Sequence, residues 1–383
     1  MPYITFKITK KNKQVQEDLF DLILNNKESE ELEPTTNVKY PEYYTVNAKT
    51  VIETTFNRQQ YNNLYKGLKR LATTNNNWKE ILEEGLDKHY TTFRIPKHSG
   101  GFRTIDAPDE TLKGLLRTIK DFLQEACKIH PHNAAFAYTP KRCAKNALEK
   151  HQYNQSKHYL HLDLKDFFTS CTPEFIHQQL KKVYPFSELY KEQDGPAIMD
   201  LIVSLSLYKG HLPQGTPLSP YLTNIIMIPI DDAIYKLCKQ RNKQHFVYTR
   251  YADDIDISSK YAFDYKELLK EISLILAQQS PLKINYEKVH YGTSAGRNWH
   301  LGLMLNKDNK ISIGNKRKRE IKSLLLNFCL HKADWTKEDM QRFHGELAYF
   351  RSIEEEYHDH LIQEYSRKHN NGSDIILELR QAI

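Results

Sequence analysis

Four residues, Tyr251-Ala252-Asp253-Asp254, most constrain what this 383-residue chain can fold into. The stretch before them, His245 to Tyr251, is rich in β-formers, and the stretch after them, Ile255 to Ser258, is apolar and β-branched. Two short strands joined by a polar pair predict a hairpin with the two aspartates at its tip. Adjacent carboxylates repel each other, and a divalent cation would relieve that repulsion. An Asp pair is also a common turn pair in water, so the dipeptide alone decides nothing.

Two stretches upstream accompany this hairpin. His161 to Phe168 predicts a strand that carries Asp163 and runs on to Asp166. Leu212 to Pro220 contains Gln-Gly and Ser-Pro and predicts a loop that leads into a helix. The three stretches, in this order, resemble the A, B and C motifs of reverse transcriptases.

A fourth stretch extends the resemblance toward the N-terminus. Two extended runs, Phe93 to Lys97 and Phe102 to Pro108, flank a Gly-Gly turn and predict a second hairpin. Composition alone favours solvent-exposed charges for Lys97 and Arg103, the two cations that flank this turn. The segment resembles the fingers hairpin of bacterial reverse transcriptases, which implies that Lys97 and Arg103 bind the triphosphate of the incoming nucleotide, since arginine offers a planar fork to phosphate oxygens.

The resemblance implies a catalytic role for three carboxylates. Nucleotide addition uses two divalent cations roughly 4 Å apart, and Mg²⁺ prefers carboxylate, water and phosphate oxygens. Asp163 and Asp253, one from each of two neighbouring strands, are expected to hold both Mg²⁺ ions, with Mn²⁺ as the alternative ion. Asp254 is expected to be the third carboxylate of the metal site, binding one ion only or none directly. Asp166 lies three residues after Asp163 and so on the other side of an extended strand, which indicates a structural or helix-capping role.

Four further residues receive roles from the resemblance. A bulky aromatic at the position of Phe168 packs under the sugar and excludes a 2′-hydroxyl, although a core position is the alternative. Gln214 and Gly215 match residues that contact the nucleotide and let the backbone pass close to it. Lys288 resembles the lysine that gives a proton to the leaving pyrophosphate, and it is the fourth catalytic residue predicted.

The alternation of strands and helices predicts an α+β fold. The resemblance implies a right-hand polymerase with fingers, a ferredoxin-like palm and a helical thumb. The predicted divisions are an N-terminal extension over residues 1–60, fingers over 61–158, palm over 159–314 and thumb over 315–383.

Periodicity predicts several individual elements. Helices are expected over 61–89 with a break at 73–77, over 110–129, over 221–241 and over 264–279, the last with a capping box of Asp264 and Glu267. Strands are expected over 282–286 and 299–305, and three helices are expected after residue 314.

The first predicted thumb helix begins with a basic run that opposes the helix dipole. A solvated face is one interpretation, and contact with phosphates of a nucleic-acid duplex is the other, which the resemblance to a thumb favours. The predicted nucleic-acid-binding residues are Lys316, Arg317, Lys318, Arg319 and Lys322.

Composition excludes some classes. The net charge of +7 is compatible with a polyanionic partner. The five cysteines are scattered, so neither a disulfide framework nor a zinc site is indicated. No apolar run approaches membrane-spanning length and no signal peptide is recognisable, so a cytoplasmic protein without a membrane partner is expected.

Together the motifs predict a prokaryotic reverse transcriptase of the retron or defence-associated type. Its expected partners are an RNA template or cognate non-coding RNA, deoxynucleoside triphosphates and the DNA product, and the resemblance also allows an effector protein in anti-phage defence. Two alternatives stay open, namely template-independent or protein-primed DNA synthesis, and a non-catalytic RNA-binding scaffold. The chain departs from retrons where they carry Asn-Ala-x-x-His and Val-Thr-Gly: His151 follows Asn146-Ala147 one residue late, and His300-Leu301-Gly302 stands at the second position.

Overall fold

The computed structural model describes residues 46–74, 77–96, 100–294 and 299–382, together with the short strand Thr5–Phe6. Most of the predicted N-terminal extension therefore lies outside the described residues, as does Lys97. Strand β1 (Thr5–Phe6) pairs antiparallel with β2 (Val46–Asn47). Among the described helices, none is both long and apolar enough to cross a lipid bilayer.

The fingers combine helices with one long hairpin. The first helix starts thirteen residues before the predicted position 61 and breaks where predicted, and the predicted hairpin is confirmed. In the hairpin Ile95 lies opposite Arg103. The elements are α1 (Ala48–Thr74), α2 (Asn77–Glu84), β3 (Tyr90–Pro96), β4 (Phe102–Pro108), α3 (Glu110–Asp121) and α4 (Ala144–Tyr153).

The helix predicted over 110–129 is shorter than expected. Asp109 caps its start by accepting a hydrogen bond from the Leu112 amide at 2.8 Å. The α-helical part ends at Asp121, and the chain continues as one wider turn over Phe122–Ala126. Its buried leucines and Ile119 pack into the main core.

The palm is an antiparallel sheet backed by helices. Its elements are β5 (His158–Lys165), α5 (Pro173–Leu180), α6 (Phe186–Leu189), α7 (Gly195–Ser206), α8 (Ser219–Ile226), α9 (Ile228–Gln240), β6 (Val247–Tyr251), β7 (Asp254–Ser259), α10 (Tyr265–Gln279), β8 (Lys283–Ile284) and β9 (His290–Thr293). The sheet order is β6-β7-β5, with β8 and β9 both pairing to the other edge of β5. The first palm strand is thus central and the last is at the edge, which is the order of a ferredoxin-like sheet.

Strand β5 has two buried faces with different chemistry. Leu160, Leu162 and Leu164 point into the main hydrophobic core. Burying a leucine contributes roughly 1.5–3 kcal/mol, so these three fix the register of the strand. Because successive side chains alternate, Tyr159, His161 and Asp163 share the opposite face, and the register therefore places Asp163 on the side of the sheet away from the helices.

Two palm predictions differ from the structure. The helix expected over 221–241 is divided at Met227, because Pro229 in the first turn of α9 lacks an amide to continue the hydrogen-bond ladder. Asp264 caps α10 as predicted, accepting from the amides of Lys266 and Glu267. The reciprocal bond of a capping box is absent there, and the Glu267 carboxylate lies 3.5 Å from Arg241 instead.

A small sheet joins the palm to the thumb. The strand predicted over 299–305 is two strands, because Leu301 and Gly302 both take positive φ, 54° and 80°, and reverse the chain. The thumb also has a fourth helix that was not predicted. The elements are β10 (Trp299–His300), β11 (Leu303–Leu305), β12 (Ile311–Ser312), α11 (Gly314–His331), α12 (Lys337–Ile353), α13 (Glu355–His369) and α14 (Ile375–Ala382).

The thumb has its own core, separate from the main one. Phe328 of α11 and Phe343 and Phe350 of α12 belong to it, and the rings of Phe328 and Phe343 have centroids 6.3 Å apart. Leu148 of α4 and Tyr159 of β5 belong to the same cluster. The thumb core therefore rests on the fingers and on the face of β5 that carries Asp163.

Candidate active site

The turn of the β6–β7 hairpin is held from below by a buried arginine. Tyr251 pairs with Asp254 in register, so only Ala252 and Asp253 form the turn. Ala252 has φ of 58°, a conformation that costs energy for a residue with a β-carbon. Arg250, which is fully buried, donates to the Ala252 carbonyl at 2.9 Å. The same guanidinium makes two 2.8 Å bonds to Asp231, so the turn rests on a fixed support.

Three carboxylates meet at this turn. Asp163 of β5 lies directly opposite Asp254 of β7, and residues so paired on one face have β-carbons about 5 Å apart. The Leu164 amide donates to the Asp253 carbonyl at 3.0 Å, which ties the turn to β5. The sheet register thus assembles the three predicted metal-binding residues.

The carboxylates repel one another in the absence of a cation. Burial raises the pKa of Asp253, and the negative charges of Asp254 and Asp163 raise it further. Lys288 Nζ lies 2.9 Å from Asp163 Oδ2, and Asn285 Nδ2 lies 3.3 Å from Asp163 Oδ1. The hydrogen bond to Asp163 raises the pKa of Lys288, which stays protonated and partly neutralises the cluster.

The donor set fits a hard divalent cation. Across the described residues, no three His, Cys, Asp or Glu side chains already surround a metal position. Mg²⁺ does not need such a cage, because it keeps several waters and is bound by one or two carboxylates plus substrate phosphates. One oxygen of Asp163 is bonded to Lys288 and one oxygen of Asp254 faces His161, so Asp253 is the carboxylate whose charge is least compensated.

Phe168 lies at the edge of the main hydrophobic core. It is half-buried and packs edge-on against Phe167 and Tyr138, with ring centroids 5.7 and 6.5 Å away. Phe167 is fully buried in the core. Phe168 is therefore the one of the two adjacent phenylalanines that has a partly accessible ring.

Position 215 has no space for a side chain, and the obstacle is a fingers residue that the sequence did not predict. Its φ is 132°, and a β-carbon there would come within 2.7 Å of the Asp106 carbonyl oxygen. The Asp106 amide also donates to the Gln214 carbonyl at 2.8 Å. The close approach is to the fingers strand β4, so Gly215 joins fingers to palm.

Tyr138 is a site residue that the sequence reasoning missed. The side chain is 49% exposed. Desolvation of its covered part raises the pKa of the phenol, the charge of Asp253 raises it too, and Arg103 opposes the shift. The charges of the exposed Arg103 and of Asp253 at the β6–β7 turn therefore both act on Tyr138. Lys97, the predicted partner of Arg103, lies outside the described residues.

Asp166 takes no part in the carboxylate cluster. It is exposed, with φ of 50°, and its carbonyl accepts from the Ser170 amide at 2.8 Å. Helix α5 is capped by Thr172, so the helix-capping role considered for Asp166 is wrong. Its carboxylate makes no hydrogen bond within the described part of the chain.

Three of the five predicted thumb cations contact other side chains of the thumb, and two have no carboxylate partner among the described residues. Lys318 lies 2.5 Å from Glu354, whose other oxygen accepts from Ser312 and Ile313. Arg317 pairs with Glu346 and Glu320, and Lys322 lies over the Tyr357 ring. Lys316 and Arg319 are exposed and have no carboxylate partner among the described residues.

A chain of histidines behind the site was also missed. His161 lies between Asp254 and Asp256, and the buried His300 donates to Asp256 at 2.7 Å. The ring of His151 stacks on that of His300 with centroids 5.7 Å apart. His151 and His300, the two positions where the chain departs from the retron motifs, thus contact each other. Their joint departure is the sequence signal that could have predicted this contact.

Comparison with known proteins agrees with this geometry. Residues 95–326, more than half of the chain, match the family model described as reverse transcriptase (RNA-dependent DNA polymerase). The chain belongs to the reverse transcriptase family. This reverse transcriptase is an RNA-directed DNA polymerase and a nucleotidyltransferase with a right-hand fold, as predicted, and its family depends on divalent metal ions.

Relatives of this chain include bacterial retron enzymes. The retron Ec83 reverse transcriptase of Escherichia coli is 29% identical over 302 residues, covering 74% of this chain and 89% of the relative. The retron Ec73 reverse transcriptase of the same organism is 28% identical, with 71% and 85% covered. The retron Ec86 reverse transcriptase, also from Escherichia coli, is 26% identical, with 69% and 76% covered. The prediction of a retron-type reverse transcriptase is confirmed.

Proposed function

We propose that this reverse transcriptase adds deoxynucleotides to a 3′-hydroxyl by two-metal catalysis, with two Mg²⁺ ions held by Asp163, Asp253 and Asp254. The observation that carries the proposal is the pairing of Asp163 with Asp254 across neighbouring strands, with Asp253 at the adjoining turn. Metal ions bound there would lower the pKa of the attacking hydroxyl and neutralise charge on the leaving pyrophosphate.

Residues around the carboxylates have separate tasks. Lys288 is 61% exposed beside Asp163 and can turn from that carboxylate to give a proton to the pyrophosphate. Arg103 on the fingers hairpin binds the triphosphate, together with Lys97. Phe168 packs under the deoxyribose and excludes a 2′-hydroxyl, and Gln214 contacts the nucleotide from the loop fixed by Gly215.

The template is a cognate non-coding RNA, and the biological setting is anti-phage defence with an effector protein. The motif resemblance to retron and defence-associated reverse transcriptases motivates this part of the proposal. Lys316 and Arg319 provide a sequence-independent contact with the phosphates, because phosphate contacts position a nucleic acid without specifying its sequence.

Primer extension tests the proposal. Labelled deoxynucleotides are supplied with a primer, with and without an annealed RNA template. Extension that requires the template and copies it supports the proposal, and extension without template supports the template-independent alternative instead. Loss of all extension in Asp253→Asn, with RNA binding retained, separates catalysis from a scaffold role. Sequencing of the copurifying nucleic acid identifies the RNA.

A further inference from the structure

His161 is held between two carboxylates by the register of the sheet. On β5 and β7, His161 lies opposite Asp256, and Asp163 lies opposite Asp254, so all four side chains share one face. His161 Nδ1 is 2.9 Å from Asp256 Oδ1, and its Nε2 is 3.4 Å from Asp254 Oδ1. The ring therefore spans from the catalytic turn to a buried carboxylate.

The far end of this bridge is fixed. Asp256 is fully buried, and the oxygen that faces His161 also accepts from His300 Nδ1 at 2.7 Å. His300 comes from β10, the strand that leads toward the thumb, and is itself buried. With two donors on one oxygen, Asp256 cannot rotate without breaking a hydrogen bond, so the imidazole of His161 is held in one orientation.

Each ring nitrogen of His161 faces a carboxylate oxygen. The contact with Asp256 at 2.9 Å is a hydrogen bond, and the contact with Asp254 at 3.4 Å is a longer polar contact. One oxygen of Asp254 therefore faces His161, and the second oxygen is the one left for a cation. Such outer contacts orient metal-binding side chains and are important for metal affinity.

We propose that His161 is a positioning residue that presents Asp254 to the metal site through a single oxygen. The inference rests on the proposed two-metal site and adds to it a support for one of its carboxylates. Asp254 is a one-oxygen ligand whose angle is set by the His161–Asp256–His300 chain.

Two amide substitutions separate the two ends of the imidazole. In His161→Gln the longer side chain places its amide nitrogen near the position of Nε2, so a donor to Asp254 is retained. In His161→Asn the shorter side chain places it near Nδ1, so only the donor to Asp256 is retained. His158→Asn, on the same strand but in contact with Tyr291, is the matched control.

The experiment measures Mn²⁺ binding to the metal-free, full-length protein by electron paramagnetic resonance, with melting temperatures recorded for every variant. We expect His161→Asn to weaken Mn²⁺ binding by about 10- to 100-fold, while His161→Gln and His158→Asn stay near wild type. In primer extension, His161→Asn should need a higher Mg²⁺ concentration for its half-maximal rate, while His161→Gln and His158→Asn should need about the same as wild type.

Three results would overturn the inference. Equal losses in the Gln and Asn variants would mean that the ring acts by packing, and unchanged binding in both would mean that Asp254 needs no support. A larger loss in Gln than in Asn would assign the role to Asp256 alone. If Asp253→Asn leaves Mn²⁺ binding intact, the two-metal site itself fails, and this outcome is recognisable because it does not involve His161.

Discussion

Arg250 and Asp231 form a bidentate ion pair in which both side chains are completely inaccessible to solvent. The pair stands directly below the catalytic turn, because a third donor of Arg250 holds the Ala252 carbonyl. Tyr248 donates to the same aspartate at 2.6 Å. The position of Asp253 and Asp254, the two carboxylates of this turn, thus depends on a charge pair buried in the palm.

Removing one member of this pair is expected to destabilise the fold. Arg250→Met leaves Asp231 charged and buried without its partner, which costs about 3–5 kcal/mol. Urea denaturation monitored by circular dichroism measures the change in stability. Arg342→Met, at an exposed thumb ion pair, should change stability by no more than about 0.5 kcal/mol. Similar effects in both variants would contradict the role given to the buried pair.

Asp253 should make the metal-free protein less stable as pH rises. Its folded-state pKa is raised, so its favourable contribution is present at low pH, where the carboxyl is protonated, and is lost as pH increases through that pKa. Asp253→Asn removes this titration and should be more stable than wild type at neutral pH in a chelator. Added Mg²⁺ should stabilise the wild type and not the variant. Denaturation midpoints against pH, with Asp166→Asn as the control that follows wild type, test this.

Asp253→Asn should also nearly abolish DNA synthesis. Loss of a metal-binding charge removes several kcal/mol of transition-state stabilisation, so the extension rate should fall by at least about 100-fold. Asp166→Asn should remain close to wild type, because that carboxylate is exposed and outside the cluster. Single-turnover primer extension gives the comparison. An equal reduction in both would refute the division of roles between the two aspartates.

Phe168→Val should relax the choice of sugar. The smaller side chain opens space beside the 2′ carbon, and the ratio of ribonucleotide to deoxynucleotide incorporation should rise by roughly 10-fold or more, the scale for a change of about 1–3 kcal/mol in a pocket. Phe167→Leu changes the buried neighbour and should leave the ratio unaltered. If the two variants behave alike, Phe168 is a core residue.

Lys316→Gln combined with Arg319→Gln should flatten the salt dependence of RNA binding. The slope in question is that of the logarithm of the binding constant against the logarithm of the salt concentration. Each phosphate that is no longer neutralised should reduce its magnitude by about 0.7 on a single strand and by about 0.9 on duplex DNA. Lys318→Gln should leave the slope unchanged and lower the thermal stability of the thumb instead, because Lys318 is paired with Glu354. Filter binding over a range of salt concentrations distinguishes the two groups.

The catalytic hairpin and its partner strand were predictable because their signals are local. Alternation along β5 and the polar pair between two β-rich runs are readable within a short stretch of sequence. The carboxylates then follow from the antiparallel register. The order of strands in the palm sheet was predictable only from the family resemblance, because no local sequence pattern indicates which strand is central.

Contacts between distant parts of the chain were not predictable. Asp256 is 95 residues from His161 and 44 from His300, and nothing in either local pattern selects that partner. Glu354, 36 residues away, turns Lys318 from a solvated cation into a structural one. The expected capping box at Glu267 failed for the same reason, because Arg241 competes for the carboxylate.

The close approach of Gly215 to Asp106 has a practical consequence for anyone who redesigns this enzyme. Every residue other than glycine adds a β-carbon that would collide with the Asp106 carbonyl. A substitution there would therefore push the fingers hairpin away from the palm before it could alter how a nucleotide is recognised. Libraries aimed at new substrates should keep residue 215 constant and vary Tyr138, which is exposed, and Gln214, which is partly exposed.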